Sequence, residues 1–208
     1  SSINIFDSNT ITGNQWGAVK SETNLVRFIA DEASSYSGNI DIDSNPIDRI
    51  TIWDNGDMGD IINSAIWPEI DAVYQVYATF FVYRDLVIAA GATLEYGTDY
   101  GTSIQPGGTL TAIGTSDEHI TFTGVNKIHG SWGGLAFDNC NSEDNNRLVY
   151  CDIEYGGSSS TNEWNNASLS IVGIQSSPTV IGEISNCRIS GSSYYGIDIS
   201  GYSSISTF

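Results

Sequence analysis

Apolar and polar residues alternate in short runs along most of the chain after residue 76. Each run ends in Gly, Ser, Asn or Asp, a pattern typical of β-strands separated by turns. No long stretch with helical periodicity interrupts the runs, and no Asn-Gly or Asp-Gly hairpin turn joins them. The pattern predicts an all-β domain whose neighbouring strands are not linked as antiparallel hairpins.

One strand is repeated three times in this region. Residues 134–137 (GLAF), 168–171 (SLSI) and 196–199 (GIDI) all carry apolar side chains at their second and fourth positions. A chain that repeats one inward pattern after each circuit is expected to coil, so that equivalent side chains stack in the core. The repeat therefore predicts a solenoid. The first apolar residue of each copy, Leu135, Leu169 and Ile197, is expected to stack on its equivalents in the core.

A second pair of similar segments lies earlier in the chain. GATLEYGT (91–98) overlies GGTLTAIGT (107–115), which aligns Thr93 with Thr109. We expect these two segments to occupy one position in successive coils.

Two of the three cysteines also lie in a repeat. LVYCDIEYGG (148–157) and ISNCRISGSS (184–193) place Cys151 and Cys187 at one position of successive coils. We therefore expect both thiols to be structural and buried, while Cys140, in the polar stretch DNCNSEDNN, is expected to be exposed. The same alignment stacks three further pairs, which are Val149 with Ser185 and Ile153 with Ile189 inside, and Asp152 with Arg188 as an ion pair outside.

Residues 74–138 resemble a known family. The ordered motifs are YQVYATFFVYRDLVIAAGATLEYGTDYG, GGTLTAIGTSDEHITFTG and SWGGLAFDN. They are similar to the right-handed parallel β-helix repeat domains of bacterial secreted and cell-surface proteins, in a superfold shared with pectate lyases. One departure is Glu95-Tyr96-Gly97-Thr98, where the family usually has a Pro-Gly turn. The resemblance implies an all-β, right-handed parallel β-helix with three strands per turn. It leaves function open, because such domains include adhesin-like stalks, binding modules and, more distantly, enzymes.

The first part of the chain lacks this pattern. We expect residues 1–73 to form an N-terminal cap and residues 74–208 to form the β-helix, which we expect to continue in a parent protein. Within the cap, Ser21 and the apolar spacing in 21–33 (SETNLVRFIADEA) predict a short helix, and 48–53 (DRITIW) predicts a strand.

The composition of the chain limits the kinds of partner that it can bind. The 208 residues include 7 Lys and Arg against 25 Asp and Glu, for a net charge of −18. Such a chain repels nucleic acid and anionic membranes, and it contains no apolar run long enough to span a bilayer. Abundant Ser, Thr, Asn and Gly with few lysines suggest an extracellular or cell-surface location. Self-association through the open C-terminal coil is a further alternative.

Acidic residues suggest a metal site in the cap. Asp41, Asp43 and Asn45 alternate as they do in calcium loops, although Pro46 stands where an EF-hand has its turn glycine. The following segment, DNGDMGD, adds three acidic residues, Asp54, Asp57 and Asp60. These residues therefore have two interpretations, a site for a structural calcium ion or a solvated acidic turn. No other cofactor is expected.

The remaining candidates concern ligands. Trp132, Trp164 and Tyr150 are expected in loops or at outward positions, where aromatic rings can stack on sugars. Asp152 and Arg188 are the other two candidate ligand-binding residues. Together with Glu154 they have the residue types of a minimal lyase site, but an ion pair between Asp152 and Arg188 would also explain their presence. His119 and His129 show no ligand-like spacing. We expect no catalytic residues in a non-catalytic module that binds carbohydrate or a cell-surface component. The alternatives are a fragment of a polysaccharide lyase or glycoside hydrolase, and a structural spacer.

Overall fold

The strands form three parallel sheets. The computed structural model describes residues 6–53, 60–141, 145–158 and 166–208. In these residues, sheets of seven, five and six strands are assembled entirely from parallel pairs. The all-β prediction and the parallel arrangement of strands are confirmed.

The first sheet contains β1 (Val19–Ser21), β2 (Arg49–Trp53), β4 (Val73–Tyr77), β7 (Thr93–Tyr96), β10 (Ile120–Gly124), β13 (Cys151–Glu154) and β16 (Arg188–Ser190). The second contains β5 (Phe80–Val82), β8 (Gly101–Ile104), β11 (Gly134–Asp138), β14 (Ala167–Gly173) and β17 (Tyr195–Gly201). The third contains β3 (Ala65–Trp67), β6 (Asp85–Ile88), β9 (Thr109–Ile113), β12 (Arg147–Val149), β15 (Thr179–Ser185) and β18 (Ser203–Thr207).

From β4 onward, consecutive strands lie in the first, second and third sheets in turn. Strands β7, β8 and β9 form one coil, and β10, β11 and β12 form the next, each paired with its equivalent in the coil before. The chain therefore winds as a parallel β-helix, in which the three sheets enclose one apolar core. This confirms the predicted solenoid with three strands per turn.

The predicted stacking positions are in register. Leu135 pairs with Leu169, which pairs with Ile197. The cysteine repeat also pairs as expected, Val149 with Ser185 and Ile153 with Ile189. The inward position predicted for Val149 and Ser185 is wrong, because the buried Leu148 takes the inward position of β12 and Val149 shares the opposite face with Arg147. For Leu135, Leu169 and Ile197, the register keeps each apolar residue above an equivalent one in the core.

The alignment of Thr93 with Thr109 is wrong. Thr93 lies in the first sheet and pairs with Thr121, whereas Thr109 lies in the third sheet and pairs with Asp85. The glycines that begin the two segments precede β7 and β9, so the segments start at two different corners of a single coil with β8 between them, not at one corner of two coils. Both corners need a similar turn followed by an inward Leu. Their sequences are therefore alike, although the strands that follow them belong to different sheets.

Regular pairing begins before residue 74. Strands β1, β2 and β3 come from the region expected to be a cap, and β2 confirms the strand predicted at 48–53. The helix predicted over 21–33 is only a six-residue 3-10 helix, Thr23–Phe28. Its N-cap is Glu22, which makes no side-chain capping bond, so the expected role of Ser21 as the cap is also wrong.

Cys140 is buried, contrary to the prediction. Its side chain is fully enclosed because Asn146 folds over it, donating from Nδ2 to the sulfur at 3.6 Å. Asn146 is itself buried and links three coils, since its Oδ1 accepts from Leu110 N at 3.0 Å and its backbone carbonyl accepts from Gly182 N at 2.9 Å. The polar segment around Cys140 therefore contains a residue, Asn146, that is buried and forms hydrogen bonds inside the protein.

Candidate functional site

Trp132 is not on the surface. It is 0% exposed and its ring stacks on Tyr96, with centroids 4.4 Å apart and planes inclined by 11°. Its Nε1 donates to the carbonyl oxygen of Glu154 at 2.7 Å. The expected outward position is therefore wrong, because the indole points inward, where it contacts Tyr96 of one coil and Glu154 of another. Trp132 is a core residue and does not face a ligand.

The outward pair Asp152 and Arg188 forms as predicted and is part of a larger cluster. Arg188 Nε lies 3.1 Å from Asp152 Oδ1, and its Nη2 lies 2.6 Å from Glu154 Oε1. His119 Nδ1 approaches the other oxygen of Asp152 at 3.3 Å, and its ring lies 5.6 Å from that of Tyr150. These contacts join β13 and β16 to the residue that immediately precedes β10 in the first sheet. Arg188 offsets only part of the charge of the two carboxylates, but each member of the cluster contacts another member, which supports a structural role.

The predicted calcium loop is held by its own hydrogen bonds. Asp41 Oδ1 accepts from the backbone nitrogens of Asp43 and Asn45, both at 2.8 Å, and the Asn45 amide also donates to it. The hydrogen bond from the Asn45 side chain is the main cause that lowers the pKa of Asp41. Asp41 therefore turns toward donors of its own loop, as in an Asx turn.

Other members of the predicted sets are dispersed or lie elsewhere. Asp60 accepts from Phe81 N at 3.0 Å. Asp54, Asp57 and Trp164 lie outside the described residues. Within the part of the chain that the structure describes, no three His, Cys, Asp or Glu side chains are grouped as a metal site.

A concave surface lies at the other end of the first sheet. Arg49, Thr51 and Trp53 occupy alternate positions of β2, and they point outward because Ile50 and Ile52 between them are fully buried. The next strand continues both rows, since Thr51 pairs with Gln75 and Trp53 pairs with Tyr77. Polar and aromatic side chains thus form two adjacent rows.

The strand before β2 and the loop leading into it complete this surface. Lys20 pairs with Thr51, and its Nζ lies 4.8 Å from the centroid of the Trp53 ring. Trp16 stands beside β2 with 86% of its surface exposed, and Trp53 is 46% exposed. We call this surface the aromatic groove. It encloses about 480 Å³ and is lined by Trp16, Gly17, Ala18, Val19, Lys20, Arg49, Thr51, Trp53, Gln75 and Tyr77.

The groove continues at both edges. A second cavity of about 610 Å³ shares Val19, Lys20 and Trp53 with it and extends toward the 3-10 helix. On the other side, Tyr77 meets Tyr100 edge to face, with ring centroids 6.5 Å apart. Gly97 permits this placement of Tyr77, because a Cβ at that position would lie only 2.5 Å from the ring. Aromatic rings therefore follow one another across several strands.

The sequence patterns did not identify this groove. Its residues lie before position 78, where the coil repeat is too weak to show which positions face outward. The alternation in RITIW was the available signal, because it places Arg49, Thr51 and Trp53 on one face of the predicted strand. Trp16 precedes any regular strand, so no period locates it.

Comparison of the chain with protein-family models, with curated proteins and with solved structures finds no match. In the described residues, the only helical segment is far too short to span a bilayer.

Proposed function

We propose that the chain is a non-catalytic, carbohydrate-binding β-helix module of a secreted or cell-surface bacterial protein, and that the aromatic groove is its binding site. The observation that carries this proposal is the exposure of Trp16 and Trp53 beside polar groups in one groove. Isolated exposed apolar side chains need no explanation, but an aromatic patch lined by hydrogen-bonding groups is typical of a binding surface.

The groove suits a sugar chain. A pyranose ring has apolar C–H faces and polar edges, so it can stack on an indole while its hydroxyl groups bond to neighbouring side chains. Trp16 and Trp53 offer the exposed rings, and Thr51 and Gln75 lie in the row next to Trp53. The side chains are fixed by a paired sheet, which limits the entropy lost on binding.

A glycan panel tests the proposal. The purified chain is incubated with immobilised polysaccharides, and binding to hits is measured by calorimetry. We expect Trp53→Ala to weaken binding at least about tenfold, which corresponds to ~1.4 kcal/mol, as for truncation of an aromatic anchor. The matched control is Tyr194→Ala, because Tyr194 is 62% exposed on the last coil, far from the groove.

Two results would overturn the proposal. One is the lack of binding to any glycan in the panel. The other is binding that Trp53→Ala and Trp16→Ala leave unchanged. Release of unsaturated uronides or reducing ends by the purified chain would instead favour the lyase or hydrolase alternative.

A further inference from the structure

The aromatic groove has an unusual charge for this molecule. The chain carries 7 Lys and Arg against 25 Asp and Glu, yet Lys20 and Arg49 both line the groove and none of its described lining residues is acidic. A random patch of such a surface would be negative. The groove is instead a local positive site on an acidic protein.

These two cations are not used in ion pairs within the described chain. Lys127 pairs with Glu95 at 3.0 Å, Arg147 with Glu183, and Arg188 with two carboxylates. In residues 6–53, 60–141, 145–158 and 166–208, by contrast, neither Lys20 nor Arg49 has a carboxylate within 4.0 Å. Their charges are left for a partner of opposite sign.

Each cation is held at the groove by a contact that leaves most of its donors uncommitted. Lys20 lies over the face of Trp53, an arrangement that positions an ammonium group without using its N–H bonds. Arg49 donates from Nη2 to the Trp16 carbonyl oxygen at 3.3 Å, while its Nε is buried and has no acceptor, so the terminal nitrogens carry the donors left for a ligand. A guanidinium has five N–H donors in a planar fork that matches a carboxylate or sulfate group.

Among the described residues, two carboxylates close to these cations are not part of the groove lining. Glu22 lines the adjoining cavity. Asp41 senses Arg49 electrostatically, but its pKa is lowered mainly by the Asn45 hydrogen bonds of its own loop. The negative charges elsewhere are screened beyond about 8 Å at physiological salt, so a bound anion would interact mainly with Lys20 and Arg49.

We infer that the groove binds an anionic glycan, whose carboxylate or sulfate groups contact Lys20 and Arg49 while its sugar rings stack on Trp16 and Trp53. This inference rests on the proposed function and adds the substrate class. The two cations lie on adjacent strands and two residues apart in register, which separates their backbones by about 8 Å from the strand spacing and rise. A polymer with acidic groups on successive sugars can engage both.

Matched polysaccharides test the inference. Calorimetry compares the full chain with a polyuronate, with the same polymer after carboxyl reduction to the neutral sugar, and with a sulfated glycan. We expect the polyuronate or the sulfated glycan to bind at least about tenfold more tightly than the neutral polymer, and to bind more weakly as salt rises. The preferred polymer identifies the acidic group.

Variants locate the effect. Lys20→Gln and Arg49→Gln are expected to reduce the anionic preference, while Arg49→Lys retains part of it because the charge remains. Arg84→Gln is the matched control, since it removes one exposed positive charge outside the groove. Circular dichroism confirms that each variant is folded.

The outcomes separate the two proposals. Equal binding of the acidic and neutral polymers would overturn the anionic inference and leave the glycan-binding function standing. Absence of binding to all three polymers, together with a negative glycan panel, would overturn the function itself. Binding of poly-glutamate as tight as that of the polyuronate would show recognition of charge alone and would also refute the inference.

Discussion

Replacement of Trp132 is expected to destabilise the fold and to leave the aromatic groove intact. The side chain is fully buried, stacks on Tyr96 at 4.4 Å and donates to Glu154 O at 2.7 Å. Trp132→Ala removes the whole ring and is expected to cost ~3–5 kcal/mol. Trp132→Phe keeps an aromatic ring but leaves the Glu154 carbonyl without its donor, which is expected to cost ~1–3 kcal/mol.

These free energies translate into measurable shifts. For a chain of this size each kcal/mol lowers the unfolding midpoint by roughly 2–4 °C, so Trp132→Phe is expected to lower it by roughly 2–12 °C. Unfolding is followed by far-ultraviolet circular dichroism, because tryptophan fluorescence changes with the substitution itself. Trp16→Phe is the control, since that side chain is 86% exposed and its replacement is expected to change stability by less than about 0.5 kcal/mol.

The reasoning fails if Trp132→Phe unfolds like the unmodified chain. It also fails if Trp132→Phe loses glycan affinity at unchanged stability, because that pair of results describes an exposed ligand contact. A buried structural tryptophan gives the opposite pair, with stability lost and affinity kept.

Three other residues give further predictions. Asn146→Ala is expected to cost ~1–3 kcal/mol in urea unfolding, because it leaves the buried backbone N–H of Leu110, in the preceding coil, and the thiol of Cys140, in its own coil, without this partner. Cys187 is expected to react with iodoacetamide at lower pH than an ordinary thiol, since a hydrogen bond with Cys151 lowers its pKa. Cys151→Ala should raise the pH midpoint of this reaction, and an unchanged midpoint would contradict the assigned cause. Ser34→Ala is expected to raise the pKa of Asp31 toward 3.8 in an NMR titration, because the Ser34 hydrogen bond lowers it. The folded pKa is depressed, so the contribution of Asp31 to stability is present at neutral pH and is lost as pH falls through that lowered pKa.

The solenoid could be predicted where the sequence repeats the core. Leu135, Leu169 and Ile197 lie at equivalent positions of similar strands. Because inward positions accept few residue types, the similar sequences indicated that these strands have equivalent positions in the fold. The argument failed for Thr93 and Thr109 because glycine turns are needed at every corner of a coil. Turn residues show that the chain bends without showing which sheet comes next.

The candidate site could not be predicted in the same way. Burial of Trp132 depends on the distant partners Tyr96 and Glu154, which come from different strands and have no fixed spacing from it. The aromatic groove combines Trp16, Lys20 and Trp53 from segments more than thirty positions apart, brought together by the pairing of β1 with β2. Outward positions also tolerate many residue types, so they carry little pattern of their own.

The stacked register makes the length of the molecule adjustable only in whole coils. Deleting one residue inside β14 would turn the side chains beyond it to the opposite face, moving Ile171 out of the core. Deleting β10, β11 and β12 together would instead bring β7 against β13, with Leu94 meeting Ile153 because both pair with Phe122. Shortened proteins of this second kind should refold with the aromatic groove unchanged, whereas single-residue deletions within the strands should not fold.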